Sequence, residues 1–142
     1  MIDYIINPIL MGGLVKEISS EMVKIHLHGR LGVITVPCKL IVGKEKIASG
    51  SEVEFYFSYL QVVENPYDYD CSAMYSNTEL IPSLLGGKLI EVNDTAVKAE
   101  IMNQLGYVSV PRRWVFTDFV LELGQNVELY FSPVRIKRQA DY

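Results

Sequence analysis

The stretch GSEVEFYFSYLQVV, from Gly50 to Val63, returns 74 residues later as GQNVELYFSPVRI, from Gly124 to Ile136. Both begin with a turn glycine and continue as Val-Glu-x-Tyr-Phe-Ser, with Val53, Phe55 and Phe57 alternating against Glu54, Tyr56 and Ser58. A period of two with apolar residues on one side is the signature of a strand with one buried face. After Ser58 the phase slips, so that Leu60 and Val62 are in step with Tyr56. A slip of one residue turns a strand's core face outward. The second copy places Pro133, which has no N–H for a sheet ladder, at the slip. The pattern predicts a bulge or kink at Ser58-Tyr59 and Ser132-Pro133.

The repetition extends well beyond this strand. Residues 8–62 align on 82–136 without a gap, with 17 identities in 55 pairs, where background composition gives roughly 3 to 4. The identities include Pro8/Pro82, Gly12/Gly86, Gly13/Gly87, Val23/Val97, Lys24/Lys98, Gly32/Gly106, Pro37/Pro111 and Glu54/Glu128. Glycine and proline fix backbone geometry and valine fills cores, so the two copies share a fold. Strand alternation recurs within each unit, as in Val23, Ile25 and Leu27 against Lys24, His26 and His28. Turn residues separate the runs at Ser19-Ser20-Glu21 and Asn93-Asp94-Thr95, then at Gly29-Arg30 and Asn103-Gln104.

The reading is all-β: an internal tandem duplication of a small curled β-barrel, SH3-like or OB-like, the two copies packed together. Residues 1–63 form the first repeat, 64–79 an acidic, tyrosine-rich connector, and 80–142 the second repeat. Kinked strands let such a sheet curl, and the paired glycines Gly12-Gly13 and Gly86-Gly87 are expected to bend the first strand of each copy in the same way.

Composition narrows the class. The chain has 142 residues, 49% hydrophobic and 21% charged, which is globular rather than disordered. The opening MIDYIINPILMGG carries Asp3 and is broken at Pro8, Gly12 and Gly13, so it reads neither as a signal peptide nor as a span, and a soluble cytoplasmic protein is expected. Cys38 and Cys71 lack CxxC spacing and read as reduced thiols. The net charge of -4 is concentrated in residues 63–81, which hold Glu64, Asp68, Asp70 and Glu79 with no base. That argues against a broad phosphate-tracking surface but leaves room for a local basic patch.

Several groups are candidates for chemistry. His26 and His28, the only histidines, share the outward side of a strand with chelating spacing, but their second-copy equivalents are Glu100 and Met102, and no metal is expected. Arg112, Arg113, Trp114, Arg135, Lys137 and Arg138 combine charge with an aromatic plane, as a single-stranded nucleic-acid surface requires. Trp114 aligns with Leu40, so a place in the core is the competing assignment. Tyr56, Tyr130 and Tyr107 are candidate partner-binding residues, since tyrosine joins apolar area to a polar tip. No phosphate loop, nucleophile elbow or zinc-protease motif is present, so no catalytic residue and no cofactor is assigned. The leading expectation is a non-catalytic binding or assembly module for a protein partner. The alternatives are a single-stranded nucleic-acid module using the second repeat, and a small-ligand binder or enzyme with a pocket at the seam between repeats.

Overall fold

Alternating burial sets the strands. In the computed structural model, which describes residues 6–43, 47–66, 68–75 and 79–138, Val23, Ile25 and Leu27 are buried while Lys24 and His26 are half-buried. The side chains of Arg30 and Arg138 lie outside the described residues. Twelve strands result: β1 (Ile9–Ile18), β2 (Met22–Leu27), β3 (Val33–Pro37), β4 (Ile41–Val42), β5 (Glu52–Phe57), β6 (Leu60–Val63), β7 (Ser83–Val92), β8 (Ala96–Ile101), β9 (Tyr107–Pro111), β10 (Val115–Phe116), β11 (Asn126–Phe131) and β12 (Val134–Arg138). Each strand of the second set begins 74 residues after its mate in the first. The protein is all-β, a tandem duplication of a small curled barrel with the two copies packed together, and no helix among the described residues is long and apolar enough to cross a membrane.

Pairing shows how the copies are joined. One 12-stranded sheet curls into two halves, β3-β2-β1-β5-β12-β4 and β9-β8-β7-β11-β6-β10, joined through β3–β9 and β11–β5. The last strand of each sequence repeat therefore lies in the other repeat's half. β6 pairs with β11 through Val62 and Val127, and β12 pairs with β5 through Ile136 and Val53. The phase slip in the quoted stretch is where the chain crosses over. Ser58 and Ser132 are fully buried at the crossings, and each hydroxyl accepts a backbone N–H from the opposite repeat: Tyr130 N to Ser58 Oγ and Tyr56 N to Ser132 Oγ, both 2.8 Å.

Two direct seams close the ring, and both obey a pseudo-twofold relation. At one, Phe57 faces its own equivalent Phe131. At the other, Ile34 of β3 faces Val108 of β9, again equivalent positions. The core is continuous across both copies. Phe57 and Phe131 meet edge to face at 6.0 Å, and Trp114 of the second repeat stacks on Phe57 of the first at 6.1 Å.

The glycines act differently from the sequence expectation at one place. β1 and β7 do bulge, but at the Val15/Glu17 and Leu89/Glu91 steps rather than at the glycine pairs. Gly13 and Gly87 instead allow close strand approach, since a Cβ would lie 2.6 Å from Ile25 Cγ2 and 2.7 Å from Glu100 O respectively. The seam glycines are stricter. Gly32 (φ 127°) and Gly106 (φ 108°) have left-handed backbones, and a Cβ on each would sit 2.0 Å from Ser109 O and Thr35 O, which are themselves equivalent.

Two outcomes follow for equilibrium denaturation. Gly32→Ala and Gly106→Ala are each expected to destabilise by about 2–4 kcal/mol, since backbone strain and a backbone clash coincide. Ser58→Ala and Ser132→Ala are expected to cost about 1–3 kcal/mol each, because each strands a buried N–H. A loss below about 0.5 kcal/mol at these positions contradicts the seam as described.

Candidate functional site

The β3–β9 seam presents its outer face as two rows of side chains. Strand register sets Lys24 opposite Thr35, Thr35 opposite Tyr107, and Tyr107 opposite Glu100. The second row is the twofold image: Lys98 opposite Ser109, Ser109 opposite Val33, and Val33 opposite His26. Between them is a depression of about 280 Å³ lined by Lys24, Val33, Thr35, Lys98, Tyr107 and Ser109. Three lining residues come from each repeat. All six are half-buried, and their strands are held from below by the fully buried Ile34 and Val108.

The polar groups of this depression are two ammonium groups, the aliphatic hydroxyls of Thr35 and Ser109, and the phenol of Tyr107. Lys98 Nζ lies 5.2 Å from the centroid of the Tyr107 ring, a cation–π contact that orients it. Glu17 and Glu91 face Lys24 and Lys98 from the outer strands. Neither carboxylate forms an ion pair with its lysine among the described residues. The side-chain hydroxyls of Thr35 and Ser109 likewise make no hydrogen bond among the described residues. Among the described residues the Lys24 ammonium and the Thr35 and Ser109 hydroxyls are thus free to meet a ligand, and Lys98 reaches it from its place over the Tyr107 ring.

A second depression, of about 590 Å³, lies between the connector and the second repeat. The connector is anchored by Tyr69, whose hydroxyl donates to Glu128 Oε2 at 2.8 Å and whose ring covers Gly86. The Gln61 amide on the exchanged β6 also donates to Glu128. Glu128 is consequently only 4% exposed, although alternation along the strand places it on the outward face. In the first repeat the equivalent Glu54 takes Arg135 of β12 instead, in a more open ion pair. Next to Tyr69, the Ser72 backbone N–H donates to Asp70 Oδ1 at 2.9 Å and holds that carboxyl below the usual aspartate range.

The other sequence candidates are dispersed. Trp114 is 6% exposed and packs against Phe57 and Tyr59, as its alignment with Leu40 suggested. Arg112 donates to Asn93 O at 2.8 Å, and Arg113 and Lys137 are exposed. Between β10, next to Arg112 and Arg113, and β12, which carries Arg135 and Lys137, lie β6, β11 and β5. Arg135 is committed to Glu54, and the Arg138 side chain lies outside the described residues, as does Tyr67 of the connector. Tyr56 and Tyr130 are half-buried on β5 and β11, while Tyr107 belongs to the seam depression. His26 is half-buried and His28 exposed, and no group of three potential metal ligands occurs among the described residues. Cys38 and Cys71 are free thiols.

The sequence reading passed over Lys24, Lys98, Thr35 and Ser109 as site residues. One signal was present: Lys24/Lys98 is a lysine identity on an outward strand face, where no packing demand fixes the residue. That the two lysines share one depression depends on the β3–β9 pairing, which periodicity does not encode.

No protein-family model matches the chain, and no curated protein matches it. Among solved structures, it resembles a molybdate-bound crystal structure of the cytoplasmic molybdate-binding protein ModG. The match has 19% identity and a TM-score of 0.27, covering 88% of this chain and 92% of that one. At this identity and TM-score the match transfers neither ligand nor residue roles to this chain.

Proposed function

We propose that this chain is a binder of small oxyanions, and that the ligand sits in the depression at the β3–β9 seam. The observation that carries the reading is the twofold-related set of Lys24 with Thr35 and Lys98 with Ser109 around one 280 Å³ space. Two ammonium groups favour a dianion, and two hydroxyls supply donors at a different angle, so a tetrahedral oxyanion satisfies all four. The buried strands beneath hold the donors in place before the ligand arrives, which reduces the ordering cost of binding.

The reading takes up the sequence-based alternative of a small-ligand binder at the seam, and two features rank it above the nucleic-acid alternative and the leading expectation of a protein partner. For nucleic acid, the aromatic plane of Trp114 is in the core and Arg135 is already paired, so charge and stacking surface do not coincide. For a protein partner, Tyr56 and Tyr130 are half-buried rather than displayed. The seam depression is also the place where a duplicated barrel makes something that neither copy has alone.

Isothermal titration with sulfate, phosphate and molybdate tests the proposal. One anion per chain is expected, with affinity falling as salt rises from low to physiological ionic strength. Lys24→Met and Lys98→Met are expected to weaken binding by similar factors of about tenfold or more, each removing a charge-assisted contact. Thr35→Val and Ser109→Ala are expected to have smaller effects. Binding that survives the double lysine variant, or no binding of any of the three at millimolar concentration, overturns the proposal.

A further inference from the structure

The twofold relation that makes the seam symmetric breaks down in charge at the depression behind Gly12 in one repeat and Gly86 in the other. In the first repeat a depression of about 450 Å³ carries Lys16, His26 and His28 and no carboxylate. Its equivalent in the second repeat is the connector cleft, where Glu100 stands in the place of His26, Met102 in that of His28 and Asn103 in that of Gly29. The glycine behind each depression is covered differently as well. A Cβ at Gly12 would meet the first repeat's own His28 at 2.9 Å, whereas a Cβ at Gly86 would meet the connector's Tyr69 at 2.5 Å. The same location has opposite charge in the two copies, and in only one of them does a separate segment build a wall.

The charge balance of the connector cleft is negative. Asp68 and Glu100 line it with one base, Lys88, which faces Glu100 across the β7–β8 pairing and leaves Asp68 without a counter-charge in the lining. Behind Tyr69 the buried Glu128 is hydrogen-bonded only by neutral donors, the Gln61 amide and the Tyr69 hydroxyl. The remaining wall is apolar or amide: Met102, the Tyr69 ring, Asn103, Gln104 and Asn126, with the core side chain of Ile101 directed away from it. The volume of about 590 Å³ lies within the range of pockets that hold small organic molecules. The hairpin tip at its rim is in a costly conformation, with φ of 54° at Asn103 and 58° at Gln104, both non-glycine residues in the left-handed region. Asn103 Nδ2 reaches Cys71 Sγ at 3.1 Å and so ties that tip to the connector.

We infer that this cleft is a second binding site, distinct from the seam, for a small organic cation: an ammonium group on an apolar body. The ammonium pairs with Asp68 and Glu100, and the body lies against Met102 and the Tyr69 ring. The apolar wall, together with the absence of a three-ligand cluster among the described residues, selects an organic cation over a metal ion. The first-repeat depression, with two imidazoles and a lysine, rejects the same ligand.

The test uses the whole chain with benzylammonium and its neutral analogue benzyl alcohol, read by calorimetry and by backbone amide chemical shifts. Benzylammonium is expected to bind once and to shift Gly86, Gly87, Met102 and Asn103 but not Gly12, Gly13, His28 or Gly29. Benzyl alcohol is expected to bind at least about tenfold more weakly, since it lacks the charge-assisted contact. Asp68→Asn combined with Glu100→Gln is expected to weaken benzylammonium by about tenfold or more with the melting temperature unchanged, and Lys88→Gln to tighten it. Lys24→Met with Lys98→Met, which removes the seam site, is expected to leave it unaffected. The inference is overturned if benzylammonium does not bind, if the alcohol binds equally well, if the shifts appear elsewhere, or if the carboxylate variant binds as the parent does.

Discussion

The fold depends on the crossing at Ser58 and Ser132. There each chain segment leaves its own sheet, and each serine hydroxyl takes a backbone N–H that the opposite repeat would otherwise bury unpaired. An unpaired buried N–H costs more than an ordinary hydrogen bond gains, so the two serines lock the copies to one another more than their small size suggests. Phe57 and Phe131 pack face to edge beside them, and Trp114 extends the aromatic contact across the boundary. A copy of about 55 residues is short for an independent core. Exchanging a strand with its twin lets each complete the other's sheet and leaves one shared interior.

Duplication also produces surface that a single barrel does not have. The β3–β9 seam lies on the pseudo-twofold axis, so any residue beside it appears there twice. One lysine and one hydroxyl per repeat become two of each around a single depression. The close seam requires Gly32 and Gly106, whose missing side chains let the β3 and β9 backbones approach. Away from the axis, the two copies have been free to diverge. Arg135 with Glu54 in one half and Gln61 with Glu128 in the other show one position solved by an ion pair and by a neutral amide, and the second solution leaves a carboxylate for the connector to cover.

Much of the fold was legible in the sequence because its determinants are local. Alternation placed the strands, the ungapped repeat showed the duplication, and the change of phase at Ser58 with Pro133 opposite located the kink. The exchange of β6 and β12 was not legible, since a kink encodes a change of direction and says nothing about which sheet receives the next strand. The glycine pairs suggest bends from sequence alone but serve as points of close approach, a role that depends on Ile25 and Glu100 in neighbouring strands. The seam site was hidden for the same reason. Lys24 and Lys98 are far apart in sequence, and only the antiparallel meeting of β3 with β9 brings them to one place. Tyr69, half-buried in a segment composed like a loop, was legible only as one of several tyrosines able to pin the connector.

The central claim is that strand exchange makes the two repeats a single cooperative unit. Two reporters lie at different places: Trp114, the one tryptophan, belongs to the second repeat and packs across the boundary on Phe57 and Tyr59, and His26 and His28, the only histidines, lie on β2 of the first repeat and the turn after it. Urea denaturation followed by Trp114 fluorescence and by the histidine ring proton resonances measures both halves in the same sample. The account predicts coincident transitions with one midpoint and one slope, as for a two-state domain. Separate midpoints for the tryptophan and the histidines, with one half still folded while the other has melted, would contradict it.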